Sequence, residues 1–143
     1  MNKLELNLKN KLFLCLSILA FLMSLLLPVH TVEWDNYKIF ELYGYVYAYV
    51  GWMTFPYLDF FCWLGNFTLL FAWIFYRKKT SFYFSILTVI LMSLYGLNHL
   101  TRLNILGVHE YHLPLFGYWI WLLSPIFMII HHFKQNKLKS QAI

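Results

Sequence analysis

The 143-residue chain carries 11 Lys or Arg and 6 Asp or Glu, a charged share of 12%, about half of what a water-soluble domain carries. With 61% hydrophobic residues, 22% aromatics and a mean hydropathy of +0.59, the composition excludes a disordered chain, a collagen-like fibre, a disulfide scaffold and an ordinary cytosolic enzyme. What remains is a polytopic membrane protein, whose surface faces lipid.

A spanning helix needs about 20 mostly apolar residues. Residues 11–29 form the first such run, opened by Lys11, preceded by Lys3 and Lys9, and broken further on only by Ser17 and Ser24. A basic start before an apolar run also describes a secretory leader. No small-x-small cleavage site follows, and Leu14 before Cys15 is too bulky for a lipoprotein attachment site, so the run reads as a true span.

Residues 30–54 form a connection far longer than two adjacent spans require. It is rich in aromatics that settle at the headgroup level, among them Trp34, Tyr43, Tyr45, Tyr47, Tyr49 and Trp52. The Tyr alternation has the period of a strand. Its other face is also apolar (Val46, Ala48, Val50), and a lone strand in an interface leaves its backbone unpaired, so a short interfacial helix is an open alternative.

The second span covers 55–76 and contains Asp59 and Asn66. The link Arg77-Lys78-Lys79-Thr80 is so short that the third span, 81–100, must fold back on the second. The fourth covers 113–133 and runs into His131-His132, with Lys134, Lys137 and Lys139 beyond. Nine of the 11 basic residues thus fall on one side, leaving only Lys38 and Arg102 on the other. By the positive-inside rule both termini are cytoplasmic. The basic residues sit at span ends with no soluble domain to organise them, so nucleic acid is not an expected partner; attraction to anionic headgroups is a generic further role.

Each span has a face of small residues at helical spacing: Ser17, Ala20 and Ser24; Gly65, Thr68 and Ala72; Ser85, Thr88 and Gly96; Gly117 and Ser124. Because lipid is as apolar as Leu, close backbone approach and hydrogen bonds drive such helices together. The expected fold is an all-α, antiparallel four-transmembrane-helix bundle of one domain, with an aromatic outer element between helices 1 and 2. Asn66, near mid-span, must face inward, and a structural bond to Thr88 or Ser124 is the expected outcome. Ser124-Pro125 reads as a kink. Cys15 and Cys62 lie at different depths and read as small hydrophobes, not a disulfide or a two-Cys metal site.

His30, His99, His109 and His112 fall on the outward side beside Glu33, Glu41, Asp59 and Glu110, a set that suits Zn or Cu. Hydrogen bonds and salt bridges are the commoner use of such residues, and haem ligation wants facing histidines within the membrane. No cofactor is therefore expected. There is no Walker loop, dinucleotide fingerprint, paired-Cys redox motif or His-Glu-x-x-His. The spans also lack the ionisable residues at depth that an ion-coupled transporter uses.

Several segments carry a resemblance: Ser24-Leu25-Leu26-Leu27-Pro28, Gly51-Trp52, Trp63-Leu64-Gly65-Asn66 with the run to Tyr76, and residues 117–124. In these the chain resembles a loose group of small uncharacterised bacterial four-span inner-membrane proteins, although Phe67 stands where that group often has Pro. In size and layout it is also similar to four-span immunity proteins that protect bacteria from membrane-inserting toxins. The resemblance implies a multi-pass protein of the bacterial cytoplasmic membrane.

The expected function is a non-enzymatic binding module, immunity-like or an accessory subunit of a membrane complex. Its partners would be the bilayer and a membrane or periplasmic protein met by Trp34, Tyr43, Tyr45, Tyr47, Tyr49 and Trp52. A metal or haem redox protein and an oligomeric channel subunit are the alternatives.

Overall fold

The computed structural model describes the backbone of residues 3–34, 38–105 and 114–140, and the side chains of 11–31, 41–98 and 114–135. The chain is mostly helical. In order it forms α1 (Lys3–Leu26), β1 (Pro28–Trp34), β2 (Lys38–Tyr43), α2 (Gly44–Val50), a 3-10 turn (Gly51–Thr54), α3 (Leu58–Trp63), α4 (Gly65–Ile74), α5 (Lys79–Ile105) and α6 (Phe116–Ser140). The stretches Lys79–Asn98 and Phe116–Gln135 are long and apolar enough to cross a membrane, while Lys11–Leu26 and Leu58–Ile74 are shorter apolar helical stretches.

Two of the expected boundaries move for local reasons. The first helix stops at Leu26 instead of Val29, because a residue before proline avoids the α region and Pro28 opens a strand instead. The second expected span begins at Leu58, after a turn over residues 55–57, and α3 and α4 continue through Leu64 as one helical stretch to Ile74.

The larger difference lies between the helices. The strands β1 and β2 pair antiparallel, with His30 opposite Leu42, Val32 opposite Phe40 and Trp34 opposite Lys38. This corrects the all-α expectation. Both segments are rich in β-branched and aromatic residues, and each supplies the backbone partner that a lone strand lacks. The tyrosine run that carries the period-two signal is itself helical from Gly44 onward.

Helices α1, α4, α5 and α6 lie side by side. Lys134 Nζ sits 5.0 Å from the Phe13 ring at one end of the α1–α6 pair, and Gly117 abuts Pro28 just past the other end of α1, so the two helices are antiparallel. Contacts of Ala72 with Ser81, Thr68 with Thr88 and Gly65 with Met92 make α4 and α5 an antiparallel hairpin. Tyr118 at Met92 and His132 at Ser81 do the same for α5 and α6.

Small and polar residues face inward. Ser17, Ser24, Ser81, Ser85, Thr88 and Ser124 are buried together with Leu69, Ala72, Met92 and Met128. Large apolar residues face outward on all four helices, including Leu19, Leu22, Leu70, Ile74, Ile90, Leu97, Leu123 and Phe133. The stripe Ser81, Ser85, Thr88, Met92, Tyr95 runs along α5 at steps of three and four, one face of a helix.

Buried hydroxyls are satisfied by sharing. Ser124 Oγ donates to the Ser17 carbonyl at 2.8 Å, which spends its one hydrogen, so Ser17 Oγ donates to Ser124 Oγ at 3.1 Å. Trp73 Nε1 then donates to the same Ser17 oxygen at 2.9 Å. Three helices meet there.

Ser17→Ala therefore strands the Trp73 N–H and the Ser124 oxygen. It is expected to lower stability by about 1–2 kcal/mol, whereas Leu19→Ala, on the exposed face, changes it by less than about 0.5 kcal/mol. Thermal unfolding of the two variants in neutral detergent measures the difference.

Candidate functional site

The element between α1 and α3 begins where α1 ends. The paired strands return the chain to that point, and Gly44 N donates to the Leu27 carbonyl at 3.0 Å. A side chain at Gly44 would collide with the Ser24 carbonyl, and one at Gly51 would collide with the Trp63 ring. These two glycines allow α2 to lie against the backbone of α1 and the indole of α3. Between them Trp63 Nε1 donates to the Ala48 carbonyl at 2.9 Å.

Gly44, Tyr47, Ala48 and Gly51 share one face at helical spacing, so the tyrosines divide. Tyr47 points inward and is 7% exposed; Tyr49 is 81% exposed, and Tyr43, Tyr45 and Trp52 are exposed with it. The rings of Tyr43 and Tyr45 lie 6.1 Å apart. Of the expected partner-binding residues, Tyr43, Tyr45, Tyr49 and Trp52 thus form an outward rim, and Tyr47 belongs to the core. The Trp34 side chain lies outside the described residues.

Beneath the rim is an aromatic and polar cluster. The Tyr47 ring is 5.0 Å from Tyr95, and Trp121 sits edge-on to both. The Tyr95 hydroxyl bonds His30 Nδ1 at 2.7 Å. Tyr47 Oη donates to the Asp59 carbonyl at 3.2 Å, and Asn98 Nδ2 donates to Asp59 Oδ1 at 2.9 Å. Burial, with Tyr95 and Asp59 nearby, pushes the Tyr47 phenol above its ordinary range, so it stays neutral. A cavity of about 10 Å³ beside Ser24, Val29, Asn66 and Trp121 has room for about one water molecule.

The interhelical polar residues all face inward but choose other partners than expected. Asn66 Oδ1 accepts from Trp121 Nε1 at 2.9 Å. Thr88 bonds Thr68 at 2.7 Å, and Ser124 bonds Ser17. The indole N–H is a donor without an acceptor function, and an amide oxygen within reach suits it better than a second hydroxyl.

His30 is buried against Tyr95, held by a hydrogen bond. The side chain of His99 and all of His109 and His112 lie outside the described residues, as does Glu110; among those described, no three His, Cys, Asp or Glu residues come together as a metal site would require. Cys62 is buried, and Cys15 faces outward instead of packing inside.

The pair His131-His132, legible in the sequence only as the end of the fourth span, is buried at the opposite end of the molecule. His132 Nε2 bonds Ser81 Oγ at 2.8 Å, and Gln135 bonds His131 at 3.0 Å. Its signal in the sequence was the coincidence of two imidazoles with Ser81 at the same depth on an antiparallel neighbour.

The division on α2 has a measurable counterpart. Tyr47→Ala empties a core position and is expected to cost about 3–5 kcal/mol, while Tyr49→Ala stays within about 0.5 kcal/mol. Tyr47→Phe, which loses one long hydrogen bond, falls between them. Denaturation midpoints of the three variants rank them.

Compared with known proteins, the chain matches no protein-family model, no curated protein and no solved structure.

Proposed function

We propose that the chain is a four-span protein of the bacterial cytoplasmic membrane with both termini inside, and that it acts without catalysis as a binding module. Its partner is a membrane-embedded or membrane-inserting protein met at the outer surface. Two roles share this chemistry: blocking a membrane-active toxin, as immunity proteins do, and serving as an accessory subunit of a membrane complex.

The membrane reading is supported by the inverted packing. A water-soluble helical domain buries its large apolar residues, whereas here Ser17, Ser24, Ser81, Ser85, Thr88 and Ser124 are buried while many Leu, Ile and Phe side chains are exposed. The 17 residues of Leu58–Ile74 rise only about 25 Å. Aromatics at both ends of that stretch, Phe55, Tyr57, Phe75 and Tyr76, extend its reach into the headgroup layers. The antiparallel order also places the amino end of α1, the α4–α5 turn and the carboxyl end of α6 at one end, the end that carries nine of the 11 basic residues.

One observation carries the binding reading: Tyr47, Gly44 and the Trp63 bond to Ala48 hold α2 in place, so Tyr45, Tyr49 and Trp52 are not needed to hold the element. Rings fixed on a docked helix lose little entropy when a partner covers them, and Tyr and Trp supply large contact area with one polar end.

Two experiments test this. In a Cys15→Ser background, Lys79→Cys is expected to label only from the cytoplasmic side with an impermeant maleimide, and Tyr49→Cys only from outside; the opposite pattern would sink the topology. A triple replacement of Tyr45, Tyr49 and Trp52 by Leu keeps apolar bulk and leaves Tyr47 in place. It is expected to insert and melt as the native chain does, yet to lose the partner that the native chain retains when purified from its host membrane. Retention of that partner would reduce the rim to a membrane anchor.

A further inference from the structure

At the end opposite α2, the α4–α5 turn, the first turns of α5 and the end of α6 enclose a pocket of about 290 Å³. That is close to the lower bound of the roughly 300–1,000 Å³ common for small-molecule sites. Arg77, Lys78 and Lys79 line it together with Phe82, Tyr83 and His132, and among the described residues no Asp or Glu does.

Three consecutive cations repel one another, and here Arg77 and Lys78 are held by ring contacts while no described acidic residue neutralises them. Lys78 N donates to the Phe75 carbonyl at 2.7 Å, which closes the turn. Arg77 lies 5.3 Å from the Tyr76 ring and donates through Nε to its hydroxyl at 2.8 Å, leaving the Nη donors for a ligand. Lys78 Nζ lies 5.3 Å from the Phe75 ring. Such contacts fix a cation and preserve its charge. The first turn of α5 contains no acidic residue, so the positive end of the helix adds to the same field.

On the inner side the imidazole of His132 is held in one orientation. Ser81 Oγ donates its hydrogen to the Ala72 carbonyl at 2.6 Å, so it can only accept from His132, whose Nε2 is the donor at 2.8 Å. The pocket therefore joins a rigid inner wall to a cationic mouth. Tyr83 is exposed beside it and offers an apolar surface next to the charges.

We propose that this pocket binds a phosphate group, as a monoester or diester. Arg presents a planar fork that matches phosphate oxygens and Lys a point charge, and together they suit an anion with several acceptor oxygens better than a single carboxylate. An anionic phospholipid headgroup and a phosphorylated solute both present this chemistry. A basic pocket between helices on the cytoplasmic side is a place where headgroups bind.

Binding is measured on the detergent-solubilised full chain with three probes: phosphatidylglycerol by native mass spectrometry, and glycerol 3-phosphate and inorganic phosphate by calorimetry. Saturable binding of one phosphate compound per chain is expected. Each cation near an anionic headgroup is worth roughly fivefold in affinity, so the double variant Arg77→Gln, Lys79→Gln should bind roughly 25-fold more weakly. Lys134→Gln should change affinity less than about twofold, since that ammonium lies on the Phe13 ring and does not line the pocket. Binding of phosphatidylglycerol with this pattern assigns a lipid headgroup; the same pattern with the soluble probes alone assigns a phosphorylated solute. No saturable binding of any probe to the native chain, or an equal loss on Lys134→Gln, overturns the site and leaves only a diffuse basic patch.

Discussion

One oxygen atom, Ser17 Oγ, joins three of the four long-packed segments. It accepts from Trp73 on α4 and donates to Ser124 on α6, whose own hydrogen returns to the Ser17 backbone. Each hydroxyl has a single hydrogen to give, so the arrangement admits one solution, and that solution fixes the depth of α1 against both neighbours. In the proposed membrane setting, large side chains that face outward meet lipid, apolar burial contributes little to helix association, and this hydrogen-bond sharing with close backbone approach has to hold the helices. The Thr68–Thr88 contact and the Ser81–Ala72 contact repeat the same device along α4 and α5.

That constraint explains which parts of the fold were legible in the sequence. Ser17, Ser24, Gly65, Ala72, Ser85 and Thr88 stand at helical spacing because small residues are what a close approach demands, and all of them are buried. The hairpin of α4 and α5 followed from a link too short for anything else. Which hydroxyl would meet which amide was not legible. Asn66, Thr88 and Ser124 are all inward, but a rotation of one helix by a fraction of a turn exchanges their partners, and no spacing rule carries that rotation.

The element between α1 and α3 was read less well, for a reason particular to tyrosine. Alternate tyrosines from 43 to 49 mimic a strand, yet Gly44 and Gly51 are seven apart and mark the inner face of a helix seated on backbone and indole. The strands instead lie in residues whose alternation is obscured by charged positions such as Glu33, Lys38 and Glu41. Both strands belong to one connection, and pairing within it removes the backbone penalty that argues against an isolated strand. Tyr47 looked like its neighbours in the sequence. Only the seat for α2 distinguishes it from Tyr45 and Tyr49.

The seat has a consequence for the order of assembly. It is built from the end of α1, from Trp63 on α3, from Tyr95 on α5 and from Trp121 on α6, so α2 reaches its full set of contacts only when all of those segments are in place. Loop-closure entropy spent on bringing distant segments together is recovered only once they meet. The exposed rim is therefore fully seated only in a completed molecule. On the proposed binding reading, a partner that recognises the rim would favour finished copies over unfinished ones.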